Sequence, residues 1–113
     1  MRRRLPGLTV LFVIAFCGLS FARAEEGRTY TLTIKDHRFT PTEIEIPAGK
    51  KISLTVKNLD STPEEFESTE LHREKVVTGG QEVTVYIGPL QPGRYEFFGD
   101  FNPQTARGHI VVK

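Results

Sequence analysis

Two segments of this chain, Ile52-Ser53-Leu54-Thr55-Val56-Lys57-Asn58 and Glu82-Val83-Thr84-Val85-Tyr86-Ile87, alternate polar and apolar side chains with a period of two. Successive side chains of a strand point to opposite faces, so each segment offers one face to a core and the other to water. Such a face is satisfied only by packing against a second layer. Thr29 to Lys35 repeats the pattern with Tyr30, Leu32 and Ile34 on one side. Phe39 to Ile46 repeats it again with Ile44 and Ile46, ahead of the Pro47-Ala48-Gly49 turn. No window long enough for a core helix carries a 3.6-residue period. The expectation is an all-β fold, a single-domain antiparallel Greek-key β-sandwich, with the two cleanest strands central. Pro41 marks an edge or a switch between sheets. Glu64 to Lys75 is dense in charge and irregular, and is expected to hold at most one helical turn.

The N-terminus is read separately. Arg2, Arg3 and Arg4 precede an apolar run from Leu8 to Phe21, followed by Ala22-Arg23-Ala24. The run is about 14 residues, short of the ~18–20 that span a bilayer, and small residues stand where a signal peptidase reads. Residues 1–24 are therefore expected to be a cleaved signal peptide and 25–113 the exported domain, periplasmic and not inserted in the membrane. Cys17, the one cysteine, leaves with the leader, so the domain carries neither a disulfide nor a thiolate ligand. Taking Arg2, Arg3, Arg4 and Arg23 from the 15 basic residues leaves 11 against 14 acidic ones, a net charge of −3. That balance offers no footprint for nucleic acid or anionic lipid. Nucleophile elbows, phosphate-binding glycine loops and zinc-protease helices are all missing from the sequence, which argues against an enzyme.

The last quarter, Leu90-Gln91-Pro92-Gly93-Arg94-Tyr95-Glu96-Phe97-Phe98-Gly99-Asp100 followed by Gly108-His109-Ile110-Val111-Val112, resembles the closing hairpin of a cupredoxin. Asp36-His37-Arg38-Phe39-Thr40-Pro41 with Ile44-Ile46-Pro47-Ala48-Gly49 is similar to the family's opening. Asn58 followed by Glu65-Phe66-Glu67 is similar to the acidic-aromatic-acidic strand of its iron-uptake (EfeO-type) members, domains associated with high-affinity iron permeases. The resemblance implies a cupredoxin-like sandwich, a transition metal, iron or copper, and a membrane iron permease or other uptake component as partner. It also implies where a blue-copper site would lie. The first histidine ligand of that site falls on Glu64 and the cysteine on Gly99, while the loop from Asp100 to Arg107 has no His, Cys or Met. A copper centre built from two histidines, a cysteine and an axial thioether cannot be assembled from these residues.

Carboxylates and one imidazole remain: Glu64, Glu65, Glu67, Glu70, His72, Glu74 and Asp100. Oxygen-rich sets suit hard or borderline ions such as Fe(III), Fe(II), Mn(II) or Cu(II). In a strand, Glu65 and Glu67 share one face while Glu64 and Phe66 take the other. The candidate metal ligands are accordingly Glu65, Glu67 and Asp100, with His72 as a fourth. Lys57, Arg73 and Lys75 offer these acids ordinary ion pairs instead. His37 is read as a turn residue and His109 as an outward residue of the last strand. Phe97, Phe98 and Phe101 are read as filling the core over the lost copper position. Two functions stay open: a periplasmic protein that binds or delivers iron or copper in an iron-uptake system, and a metal-free sandwich that is an interaction subunit of a membrane transport complex.

Overall fold

The alternating segments become strands in the computed structural model, which describes residues 28–113; the expected signal peptide over residues 1–24 lies outside them. In chain order the strands are β1 (Thr29–Lys35), β2 (Arg38–Thr40), β3 (Glu43–Ile46), β4 (Ile52–Asn58), β5 (Glu64–Ser68), β6 (Arg73–Val77), β7 (Glu82–Ile87), β8 (Gly93–Gly99) and β9 (Arg107–Val112). They form a four-stranded sheet, β2-β1-β4-β7, facing a five-stranded one, β3-β9-β8-β5-β6. Pro41 stands where the chain leaves the first sheet at β2 and enters the second at β3, the switch expected of it.

Three expectations are corrected. The sandwich is not wholly antiparallel: β1 runs parallel to β4, with Leu32 opposite Val56, and β3 parallel to β9, with Ile44 opposite Ile110. Both pairs join strands distant in sequence, whose connections pass through the opposite sheet and return in the same direction. β4 is central, but β7 is an edge. An edge strand and a central strand each bury one face, so alternation cannot separate them. Finally, Glu64 to Lys75 is not irregular; without any helical turn it forms the β5–β6 hairpin. The outer strand of that hairpin is exposed from Arg73 to Val76 and buries only Val77, so its sequence carries no period to read.

The core joins the sheets through Leu32, Ile34, Leu54, Val56, Val85 and Ile87 on one side and Ile44, Ile46, Phe66, Phe97, Ile110 and Val112 on the other. At one end Phe39 of the first sheet meets Phe97 edge-on at 5.2 Å and Phe66 at 6.3 Å, while Phe66 and Phe97 lie 5.3 Å apart. Each buried ring contributes about 1.5–3 kcal/mol by area, and each such aromatic pair about 0.5–1.5 more.

That end is organised by polar groups from three connections. Asn58 is buried; its Nδ2 donates to the carbonyls of Thr62 (2.8 Å) and Val77 (3.0 Å), and its Oδ1 accepts from the N–H of Asp60 (3.0 Å). Asp60 in turn accepts from the N–H groups of Asp36 (2.7 Å) and His37 (3.0 Å). Those two residues form the β1–β2 turn with φ of 54° and 59°, the twist that a two-residue hairpin loop requires. His37 is a turn residue, as expected. The hydrogen bond from the His37 N–H, more than that from Asp36, holds the Asp60 carboxyl below its usual range.

Candidate functional site

β5 sorts its acids by parity. Glu64, Phe66 and Ser68 are buried, and Glu65 and Glu67 are half-buried on the outer face of the five-stranded sheet. Glu67 stands opposite Glu74 on β6 and opposite Phe98 on β8. Two residues beyond Phe98, Asp100 returns to the same outer face, and its N–H donates to the Glu65 carbonyl at 2.9 Å. The result is a cluster in which carboxylate oxygens of Glu65, Glu67 and Asp100 all lie within 4.8 Å of one another. Oxygens that share one cation at about 2.3–2.6 Å are at most about 5 Å apart, so this spacing admits a single ion.

His72 stands apart from that set. It sits exposed in the β5–β6 turn with φ of 56°, lining an open hollow with Glu67, Ser68, Thr69, Arg73 and Glu74. Glu74 is the acid nearest the expected set that sequence reasoning left out of it. Had the two strands been recognised as a hairpin, counting across the turn would have paired Glu74 with Glu67. The expected cationic partners are placed elsewhere. Arg73 spends its guanidinium on the carbonyls of Tyr86, Leu71 and His72, and among the described residues no lysine or arginine forms an ion pair with Glu65, Glu67, Glu74 or Asp100.

Like charges without a counter-ion disfavour ionisation. Partial desolvation, then the charge of Glu74 and a hydrogen bond shared with it, then Glu67 and Asp100, push the Glu65 carboxyl up to about 7. Glu67 is raised as well, by desolvation first and then by Asp100 and Glu74. A bound cation reverses that repulsion.

On the inner face of the same strand, Glu64 is 1% exposed. Its carboxylate accepts from the N–H of Glu65 (3.0 Å), the N–H of Phe101 (2.8 Å) and Nδ2 of Asn102 (2.8 Å). It fills the space beside Gly99, where an added Cβ would meet Glu64 Cδ at 2.6 Å and Ala106 Cβ at 2.7 Å. Strand parity turned Glu64 inward and the family resemblance set it and Gly99 at the lost copper position; the donors from Phe101 and Asn102 had no signal in the sequence. The three aromatics divide: Phe97 is fully buried, Phe98 is half-buried beneath the Arg107 guanidinium at 5.4 Å, and Phe101 is 49% exposed. Phe101 therefore does not fill the core; its loop residue lines a shallow hollow with Asp36, His37, Asn102, Pro103 and Thr105. His109 points outward as expected, and its Nε2 lies 2.9 Å from Glu43 Oε1.

The order of the strands in the two sheets is that of a cupredoxin-type sandwich. The family model described as Cupredoxin-like domain matches residues 7–112, and the chain belongs to that family. It is 51% identical over 81 residues to the protein RP394 of Rickettsia prowazekii (strain Madrid E), an overlap of 72% of this chain and 65% of that protein. Its fold is similar to that of auracyanin A, a "blue" copper protein from Chloroflexus aurantiacus (TM-score 0.65, 14% identity, covering 75% of this chain and 98% of that one). It is also similar to a purple cupredoxin from Nitrosopumilus maritimus (TM-score 0.58, 19% identity, 74% and 99%). The metal-binding domain of the Cu(I)-exporting P-type ATPase CopA of Streptococcus pneumoniae shares it too (TM-score 0.64, 16% identity, 75% and 84%). At these identities the likeness is one of fold alone.

Proposed function

We propose that this protein is an exported metal-binding cupredoxin of the iron-uptake type, which binds or hands over iron, with copper as the competing ion, to a membrane permease or another uptake component. The observation that carries the reading is the convergence of Glu65, Glu67 and Asp100 oxygens within 4.8 Å on an accessible face. An all-oxygen set favours Fe(III) and other hard ions, whereas the general affinity order favours Cu(II). A type 1 copper centre is not part of the proposal. Gly99 has no room for the Cβ of a cysteine, and the carboxylate of Glu64 takes the space beside it. No catalytic step is proposed; the carboxylates hold the cation, whose charge offsets their mutual repulsion, and protons compete with it for the same oxygens, so that acid favours release. The leader-like N-terminus supports export to the periplasm.

The test is calorimetric titration of the purified protein with Fe(III) and with Cu(II). Micromolar or tighter binding that is lost in Glu67→Ala and Asp100→Ala supports the reading, and no heat with either ion removes it. A second reading, a metal-free interaction subunit of a transport complex, is favoured by one observation: hydrogen bonds to Glu64 already close the end of the sandwich without an ion. Its mark would be a melting temperature insensitive to metal and chelator together with co-purification of a membrane protein, since binding to the native state alone must raise stability.

A further inference from the structure

Buried carboxylates are ordinarily matched by a cation, because removing a lone charge from water is costly. Among the described residues Glu64 is matched by three neutral donors, and two belong to the loop between β8 and β9. Within itself that loop is closed by the N–H of Asn102 to the Gly99 carbonyl (3.0 Å), the N–H of Ala106 to the Asn102 carbonyl (2.9 Å) and the N–H of Gly99 to the Ala106 carbonyl (2.8 Å). Toward the β1–β2 turn it is tied by Thr105 Oγ1, which donates to the His37 carbonyl. Toward β5 its ties are the Asp100 N–H to Glu65 and the two bonds to the Glu64 carboxylate. The packing around that carboxylate leaves no slack, since a single methyl on Gly99 would overlap it.

We infer that the buried Glu64 carboxylate latches the loop following β8 onto β5 through the hydrogen bonds it accepts, anchoring that loop from inside the sandwich, and so sets the place of Asp100 on the outer face. It is a positioning residue. A carboxylate acceptor makes the strong kind of hydrogen bond, and losing it leaves the part-buried N–H of Phe101 without that partner. The geometry couples two faces of one strand: on the inner face the Glu64 side chain holds the Phe101 N–H, and one residue earlier Asp100 is carried to the carboxylate oxygens of Glu65 and Glu67 on the outer face. The consequence for Asp100 rests on reading those oxygens as a cation site; the latch itself does not.

Amide hydrogen exchange followed by NMR tests the latch. In Glu64→Ala the Phe101 amide is expected to exchange about tenfold faster or more, the loss of one charge-assisted bond, while Leu54 in central β4 keeps its parent rate. Glu64→Gln, which keeps one acceptor oxygen, is expected to recover part of the protection. Should Glu64→Ala fail to fold, Asn102→Ala removes a single donor and is expected to speed the Phe101 amide severalfold. Exchange at Phe101 within twofold of the parent in every folded variant overturns the inference. Titration with Fe(III) separates the two claims. If the parent binds, Asn102→Ala is expected to bind severalfold more weakly, and equal affinity removes the positioning role. If the parent does not bind, the cation reading fails and the exchange rates still decide the latch.

Discussion

The side chain of Glu64 and the bare α-carbon of Gly99 share one volume: a methyl group on Gly99 would lie 2.6 Å from Glu64 Cδ and 2.8 Å from its Oε2. The two positions are therefore energetically coupled, and a double-mutant cycle measures the coupling. Gly99→Ala alone is expected to cost about 1–3 kcal/mol by overpacking. Combined with Glu64→Ala it is expected to cost less, by a coupling of about 0.5–3 kcal/mol, because the space it needs has been cleared. Relief is partial, since Ala106 Cβ at 2.7 Å still opposes the methyl. Strict additivity in urea melts would show that the two groups do not compete.

Cation binding at the outer face should report on Glu65, Glu67 and Asp100 and not on His72. A cation at a hundred times its dissociation constant stabilises the native state by ~2.7 kcal/mol, about 10 °C or more in melting temperature for a domain of this size. Glu67→Ala and Asp100→Ala are expected to weaken binding at least about tenfold, equivalent to ~1.4 kcal/mol. His72→Ala is expected to leave it unchanged, as its ring lies outside the converging set. A large loss in His72→Ala would redraw the site around the β5–β6 turn.

Stability in metal-free buffer should fall as pH rises from about 4.5 to 7. Below 4.5 the Glu65 carboxyl is protonated in both the folded and the unfolded chain, so it adds no slope. Between 4.5 and about 7 the folded protein keeps a proton that the unfolded chain has lost, and each step up in pH favours unfolding; above about 7 both are ionised and the loss is complete. Glu67, also raised, acts with the same sign. Asp60, held below 3.8, acts in the opposite sense only in stronger acid. Melting temperatures of the parent and of Glu65→Gln across this range provide the check, with the slope expected to shrink in the variant. Identical slopes would count against Glu65 as its source.

Asp60→Ala removes the acceptor for two N–H groups of the β1–β2 turn, whose left-handed backbone has few other ways to be held. Bonds to an ionised partner contribute about 1.5–3 kcal/mol, and the exposed turn recovers part of that from water, so a loss of about 1–2 kcal/mol is expected. Guanidinium melts measure it, and a neutral result would mean that the turn is set by the strands alone.

Phe97→Ala opens the aromatic contact between the sheets and is expected to cost about 3–5 kcal/mol, a large part of the 5–15 that a domain of this kind has. Phe101→Ala, at a half-exposed ring on the loop, is expected to change stability by less than about 0.5 kcal/mol. Equal costs would contradict the division of the two aromatics between core and surface.

How much of this was legible in the residues varies along the chain. Alternation placed the buried faces of Thr29–Lys35 and Ile52–Asn58, and the parity of Glu64 to Glu67, because a strand's side-chain period is a local property of its backbone. Parity paired Glu65 with Glu67, and the family resemblance put Asp100 at the same end of the sandwich, but a separation of more than thirty positions had to be closed by the pairing of β5 with β8. The edge position of β7, the strand character of Arg73–Val77 and the parallel pairs escaped a local reading, since each depends on which neighbour lies alongside.

From its residues alone, then, this chain determines its layered all-β architecture, its lack of sulfur donors after Cys17, and which acids face inward or outward on β5, all of which follow from backbone period and side-chain chemistry. Tertiary structure decided that Glu64 closes the end of the sandwich while its neighbours meet Asp100 outside, and that His72 does not join them. Those outcomes turn on distances between segments remote in sequence, set by sheet order and loop path, which no local pattern encodes.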